Sequence, residues 1–140
     1  MELTGETLFP GTGEGALLVL SAPLSFWGGV DPATGVVINA RHPDRGTSLA
    51  GRVVAVRELI GSSSSSSVML ELVDAGVAPA AILLGRPDAI LVVGCLAARE
   101  LGLVAPAVVR LGDPSALAPG GRVLVDAPSR GRPATVRTLP

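Results

Sequence analysis

The chain has 140 residues, a formal net charge of −1, 48% hydrophobic residues and one cysteine. Such a length suits one domain, spanning residues 1–140, that buries about 68–70% of its unfolded surface and is stable without disulfides or structural metal. Scattered basic residues and few aromatics argue against nucleic-acid binding, and no apolar run nears the ~20 residues of a membrane helix. The acidic start Met1–Glu6 lacks the basic region of a signal peptide, so a soluble, cytoplasmic protein is expected. Every basic residue is arginine, which reads as a coding bias and identifies no function.

In chain order, Gly11-Thr12-Gly13-Glu14-Gly15 resembles a phosphate loop only superficially, because it precedes a strand and lacks the Gly-Lys-Ser/Thr ending. Short apolar, β-branched runs then predict strands at Ala16–Leu20, Gly35–Ile38, Arg52–Val56, Ala81–Leu84, Ala89–Val93, Ala107–Val109 and Arg122–Val125. Helices are expected over Val68–Ala75, stopped by Gly76, and over Gly94–Leu101, stopped by Gly102. Ser129–Pro133 reads as a turn into a last short edge strand, with Pro133–Pro140 free to fray. Many strands and two short helices predict an α/β domain, barrel-like or layered β/β/α, in preference to a doubly wound sheet.

Four segments carry candidate chemistry. Gly61 followed by Ser62–Ser67 lies between the strand ending at Val56 and the helix from Val68; six serines usually mark a flexible linker, but a strand turning into a helix gathers hydroxyls and backbone N–H groups into an anion-binding corner. Ser25-Phe26-Trp27-Gly28-Gly29-Val30-Asp31-Pro32 holds the only tryptophan; it reads either as a hairpin covering the core or as a loop whose glycines let it approach a ligand or partner. Asn39–Gly46 gathers His42 with Arg41, Arg45 and Asp44, a carboxylate-binding or proton-transferring cluster or else a polar surface loop. Cys95, placed at a strand-to-helix junction, reads as a small buried hydrophobe, and no Cys/His spacing for a metal accompanies it.

Together, Pro23–Gly35 with its Ser-Phe-Trp-Gly-Gly-Val-Asp core, then His42-Pro43, then Gly61-Ser62-Ser63, then Gly76–Ile82 resemble the small swivel-domain subunit of the aconitase X family of hydro-lyases. The resemblance implies an aconitase-like swivelling β/β/α barrel closing over a large catalytic subunit that holds an iron–sulfur cluster. It implies Ser62 as general base, Gly61, Ser63 and Ser64 as substrate neighbours, and Trp27, Gly28, Gly29, Asp31 and His42 as cleft or interface residues. One cysteine cannot hold such a cluster, so this chain is expected to bind no metal itself. Where aconitases carry an arginine after Gly-Ser-Ser, this chain has Ser64; substrate charge must be met by Arg57, Arg41 or the partner. The substrate implied first is cis-3-hydroxy-L-proline, with mevalonate 5-phosphate as the alternative. A non-catalytic module binding an anionic metabolite is a rival from another class.

Overall fold

The computed structural model describes residues 1–140. Seven strands, β1 (Glu2–Phe9), β2 (Gly11–Val19), β3 (Val53–Val56), β4 (Ala81–Leu84), β5 (Ala107–Arg110), β6 (Arg122–Ala127) and β7 (Pro133–Thr138), close into a barrel in the order β1-β5-β4-β3-β2-β6-β7. The segment β2-β3-β4-β5 is parallel, and the remaining pairs are antiparallel. Helices α1 (Ser65–Asp74) and α2 (Ala89–Glu100) form the β3-α1-β4 and β4-α2-β5 crossovers.

The parallel strands are apolar at nearly every position because both of their faces are covered. Val53 and Ala55 of β3, Ala81 and Leu83 of β4, and Ala107 and Val109 of β5 fill the barrel interior with Val123, Val125, Ala134 and Val136. Their alternates Val54, Val56, Ile82, Leu84 and Val108 face outward, against Met69 and Leu72 of α1 and Leu91, Cys95 and Ala98 of α2. Both helices end in the double hydrogen bond that a left-handed glycine permits. Gly76 (φ +73°) and Val77 donate to Val73 and Leu72, and Gly102 (φ +79°) and Leu103 donate to Arg99 and Ala98. The glycines of Gly11–Gly15 belong to β2, where a Cβ on Gly13 would run into the carbonyl of Ala80.

Several expectations need correction. Ala89–Val93 is the first half of α2, not a strand: Asp88 caps this helix by accepting from the Leu91 N–H at 2.9 Å, and a short apolar run reads equally well as either element. Cys95 accordingly sits mid-helix. Gly35–Ile38 forms only isolated bridges, Val30 with Val37 and Val36 with Ser48, within the irregular excursion of residues 20–52. The acidic start is β1, and the terminal segment is no frayed edge: β7 pairs with both β1 and β6, closing the barrel.

Candidate functional site

β3 delivers the chain through Arg57–Ile60 into the serine run, which splits between a turn and a helix. Ser65–Ser67 form the first turn of α1, and Ser64 is its N-cap without a side-chain cap bond. The first helical N–H groups are not free for a ligand as the sequence suggested: Ser65, Ser66 and Ser67 donate to the carbonyls of Ser62, Ser63 and Ser64 at 3.1, 3.4 and 3.0 Å. Free donors lie just upstream. The amides of Gly61, Ser62 and Ser63 donate to no acceptor of the chain, while Ser62 Oγ accepts the Ser64 N–H at 3.0 Å. Ser62 Oγ is therefore held by one amide, and the three amides of the turn without an acceptor in the chain leave donors for an anionic group.

Gly61 makes the turn possible. Its φ is +105°, and a Cβ there would lie 2.5 Å from Ser25 Oγ. The tryptophan loop packs against the turn at that point, with Leu24 bridging to Leu59 and the Ile60 N–H donating to Leu24 O at 3.0 Å. A second tie went unseen in the sequence: the Trp27 N–H donates to Ser65 Oγ at 3.2 Å, and Ser65 is buried. Its partner is 38 residues away, so no local pattern signals it. Trp27 itself is 59% exposed beside a groove of about 340 Å³ that also borders Ser64, Ile38 and Glu71. Gly28 (φ +75°) turns the loop, and a side chain on Gly29 would collide with the Ser25 carbonyl.

The other expected site residues have scaffold positions. Asp31 accepts from the Ala33 N–H at 2.9 Å and the Thr34 hydroxyl at 3.0 Å, which shapes the end of the tryptophan loop. His42 is buried with both ring nitrogens engaged: Nδ1 accepts the Asp44 N–H at 3.0 Å, leaving the proton on Nε2, which faces Ala22 O at 3.2 Å. Asp44 in turn accepts from the Ser21 N–H and hydroxyl, so this loop braces residues 21–22 and leaves its imidazole no free lone pair. Ser62, Gly61, Ser63, Ser64 and Trp27 come together at one corner; Asp31 holds the loop after Trp27, and His42 lies with residues 21–22 and hydrogen-bonds to none of the corner residues.

An iron–sulfur cluster, which the resemblance implies for the assembled enzyme, does not fit this chain's residues. Cys95 is fully buried between α1 and α2, and desolvation pushes its thiol up to about 12, away from the thiolate a cluster binds. The chain has no group of three His, Cys, Asp or Glu side chains able to hold a metal. The cavity bordering Ser62, lined also by Phe26, Gly61, Ser65 and Asp88, is only about 50 Å³. A water molecule's share of liquid volume is about 30 Å³, so a substrate at Ser62 must find most of its enclosure elsewhere. No helix is long and apolar enough to cross a membrane.

A half-parallel barrel with two crossover helices and a serine turn at its parallel rim defines a swivel-type α/β domain with an incomplete site. The chain belongs to the aconitase X swivel-domain family, whose model matches residues 2–132. It is 50% identical over 95 residues to a cis-3-hydroxy-L-proline dehydratase of Pseudomonas aeruginosa, covering 68% of this chain but only 16% of that protein's length. It is 36% identical to the phosphomevalonate dehydratase small subunit of Thermococcus kodakarensis, over 92% of each. Its fold matches the crystal structure of aconitase X (holo-form) from the latter organism with a TM-score of 0.86 and 34% identity, covering 100% of this chain and 99% of that one. A solution NMR structure of a UPF0107 protein matches with a TM-score of 0.82 and 31% identity over the whole of both chains.

Proposed function

We propose that the chain is the small subunit of a two-subunit, cytoplasmic aconitase X-type hydro-lyase, with Ser62 as general base and cis-3-hydroxy-L-proline as substrate. The observation that carries this reading is the setting of Ser62 Oγ, held by the Ser64 N–H beside the unused amides of Gly61, Ser62 and Ser63. An alkoxide is costly in water, and the fixed Ser64 N–H on its oxygen lowers that cost without reorganisation. As alkoxide, Ser62 takes the proton α to the substrate carboxylate, forming an O–H bond as the C–H bond breaks. The electron pair moves into the new double bond as the β C–O bond breaks and hydroxide departs, and that hydroxide with the proton taken by Ser62 makes up the one water lost, which restores the alkoxide. The small cavity at Ser62 supports a large partner that supplies the rest of the enclosure, and the family resemblance assigns that partner the iron–sulfur cluster.

A second reading, mevalonate 5-phosphate as substrate, is favoured by the match over nearly full length to the Thermococcus kodakarensis small subunit. Reconstitution with the large subunit and assay on both acids separates the two. Ser62→Ala is expected to abolish turnover on whichever acid is used, with the assembled complex still eluting at wild-type size. Near-normal turnover by that variant removes Ser62 from the role.

A further inference from the structure

We infer that Arg57 is the cation that binds the substrate's anionic group, in a cleft at the carboxyl ends of the parallel strands; this rests on the hydro-lyase reading above. β2, β3, β4 and β5 end on one rim, and the residues just past them line one cleft of about 670 Å³: Ser21 after β2, Arg57 and Glu58 after β3, Gly85 and Arg86 after β4, and Gly112 after β5. Ligands of parallel sheets collect outside strand carboxyl ends, in pockets of about 300–1,000 Å³.

The two arginines of this cleft differ. Arg86 Nη1 lies 3.5 Å from Glu58 Oε2, so its charge already has an answer. Arg57 joins none of the chain's arginine–carboxylate pairs, which are Arg86–Glu58, Arg110–Glu6 and Arg122–Glu14, and its side chain makes no hydrogen bond. Its backbone is nevertheless fixed on both sides: the Gly85 N–H donates to Val56 O at 3.2 Å and the Arg86 N–H to Arg57 O at 2.9 Å. Gly85 allows that approach, since a Cβ there would lie 2.7 Å from Arg57 O. A clamped backbone carrying an uncommitted guanidinium is suited to a ligand, because the fork of N–H donors matches a carboxylate or phosphate with little rearrangement. Ser62 follows on the same β3–α1 connection, its Cα at most about 18 Å away even if the intervening chain were fully extended. Arg57 thus takes the part left open where Ser64 occupies the turn position of an expected arginine. Arg41, the other candidate, is not among the residues lining the cleft.

The test uses the assembled enzyme and the full chain. In the reconstituted pair, Arg57→Gln is expected to raise KM by about 10- to 100-fold, the loss of a charge-assisted hydrogen bond, with a much smaller change in kcat. Arg57→Lys should recover part of the loss. A rise on both cis-3-hydroxy-L-proline and mevalonate 5-phosphate assigns Arg57 to the carboxylate; a rise confined to the phosphorylated acid assigns it to the phosphate. Unchanged KM on both overturns the inference. In parallel, inorganic phosphate is titrated into the full-length chain by NMR, where shifts at the Arg57 Nε–H and the Gly85 and Gly112 amides are expected and should vanish in Arg57→Gln. If the wild-type pair turns over neither acid, the hydro-lyase reading fails and this titration alone decides the anion site: shifts lost in the variant uphold it, and their absence in the wild type overturns it.

Discussion

Replacing Gly61 with alanine tests whether the serine turn is held by the tryptophan loop. At φ +105° a residue with a side chain is strained by about 1–3 kcal/mol. The new Cβ, 2.5 Å from Ser25 Oγ and 3.3 Å from Ser25 Cβ, also forces the Ser25 hydroxyl out of its 2.9 Å bond to Trp27 O, a net loss of about 0.5–1.5 kcal/mol. Together these give about 2–4 kcal/mol. With an unfolding entropy of about 2.1 cal/mol/K per residue, each kcal/mol is about 3.4 °C for this chain, so Tm should fall by about 7–14 °C. Differential scanning calorimetry of four chains separates the two contributions: wild type, Gly61→Ala, Ser25→Ala and the double variant. Ser25→Ala removes the oxygen but not the backbone strain, so Gly61→Ala should cost about 1 kcal/mol less in that background. An unchanged Tm for Gly61→Ala, or an equal drop in both backgrounds, refutes the packing described.

Other outcomes follow from the helix layer. A Cβ on Gly94 of α2 would sit 2.7 Å from Ser66 O of α1, so Gly94→Ala should destabilise by about 1–3 kcal/mol despite alanine's better helix propensity; a higher urea midpoint for the variant would contradict this. Asp88→Ala removes the N-cap of α2 and should cost about 1 kcal/mol in the same assay, whereas no change would show that the cap bond contributes nothing. Burial holds the Cys95 thiol up at about 12 in the folded chain against 9.0 without burial, so the unfolded chain loses this proton first. Stability is therefore expected to be full below pH 9 and to fall as pH rises toward 12, by up to about 1.4 kcal/mol per pH unit from this group, a slope that Cys95→Ala should lack.

The residues made the parallel half of the barrel legible, because strands covered on both faces read as unbroken apolar runs: β3, β4 and β5 fall where Arg52–Val56, Ala81–Leu84 and Ala107–Val109 indicated, to within a residue at each end. The antiparallel half was only partly legible. In β1, Glu2, Thr4 and Glu6 interrupt Leu3 and Leu8, and what makes it a strand is its pairing with β7, more than a hundred residues away. Ala89–Val93 misled because its β-branched residues suit a strand, and only the Asp88 cap and the contact with α1 decide for a helix. At the site, Gly61 and Ser62 stood out through their flanks. The roles of Ser65 and of the free amides did not, and the sequence named Arg57 beside Arg41 without separating them, since each depends on a partner or a rim assembled from distant segments.

The pairing of β1 with β7 has a consequence for inheritance. Glu2 lies opposite Arg137, and Met1 O accepts the Thr138 N–H at 3.1 Å, so the two ends of the described chain leave the barrel side by side. Domains whose termini adjoin tolerate being joined to, or inserted into, other sequences without rethreading. A genome can therefore carry this barrel as a gene of its own or sew it to a neighbour through a linker at either end, and no strand has to change its place.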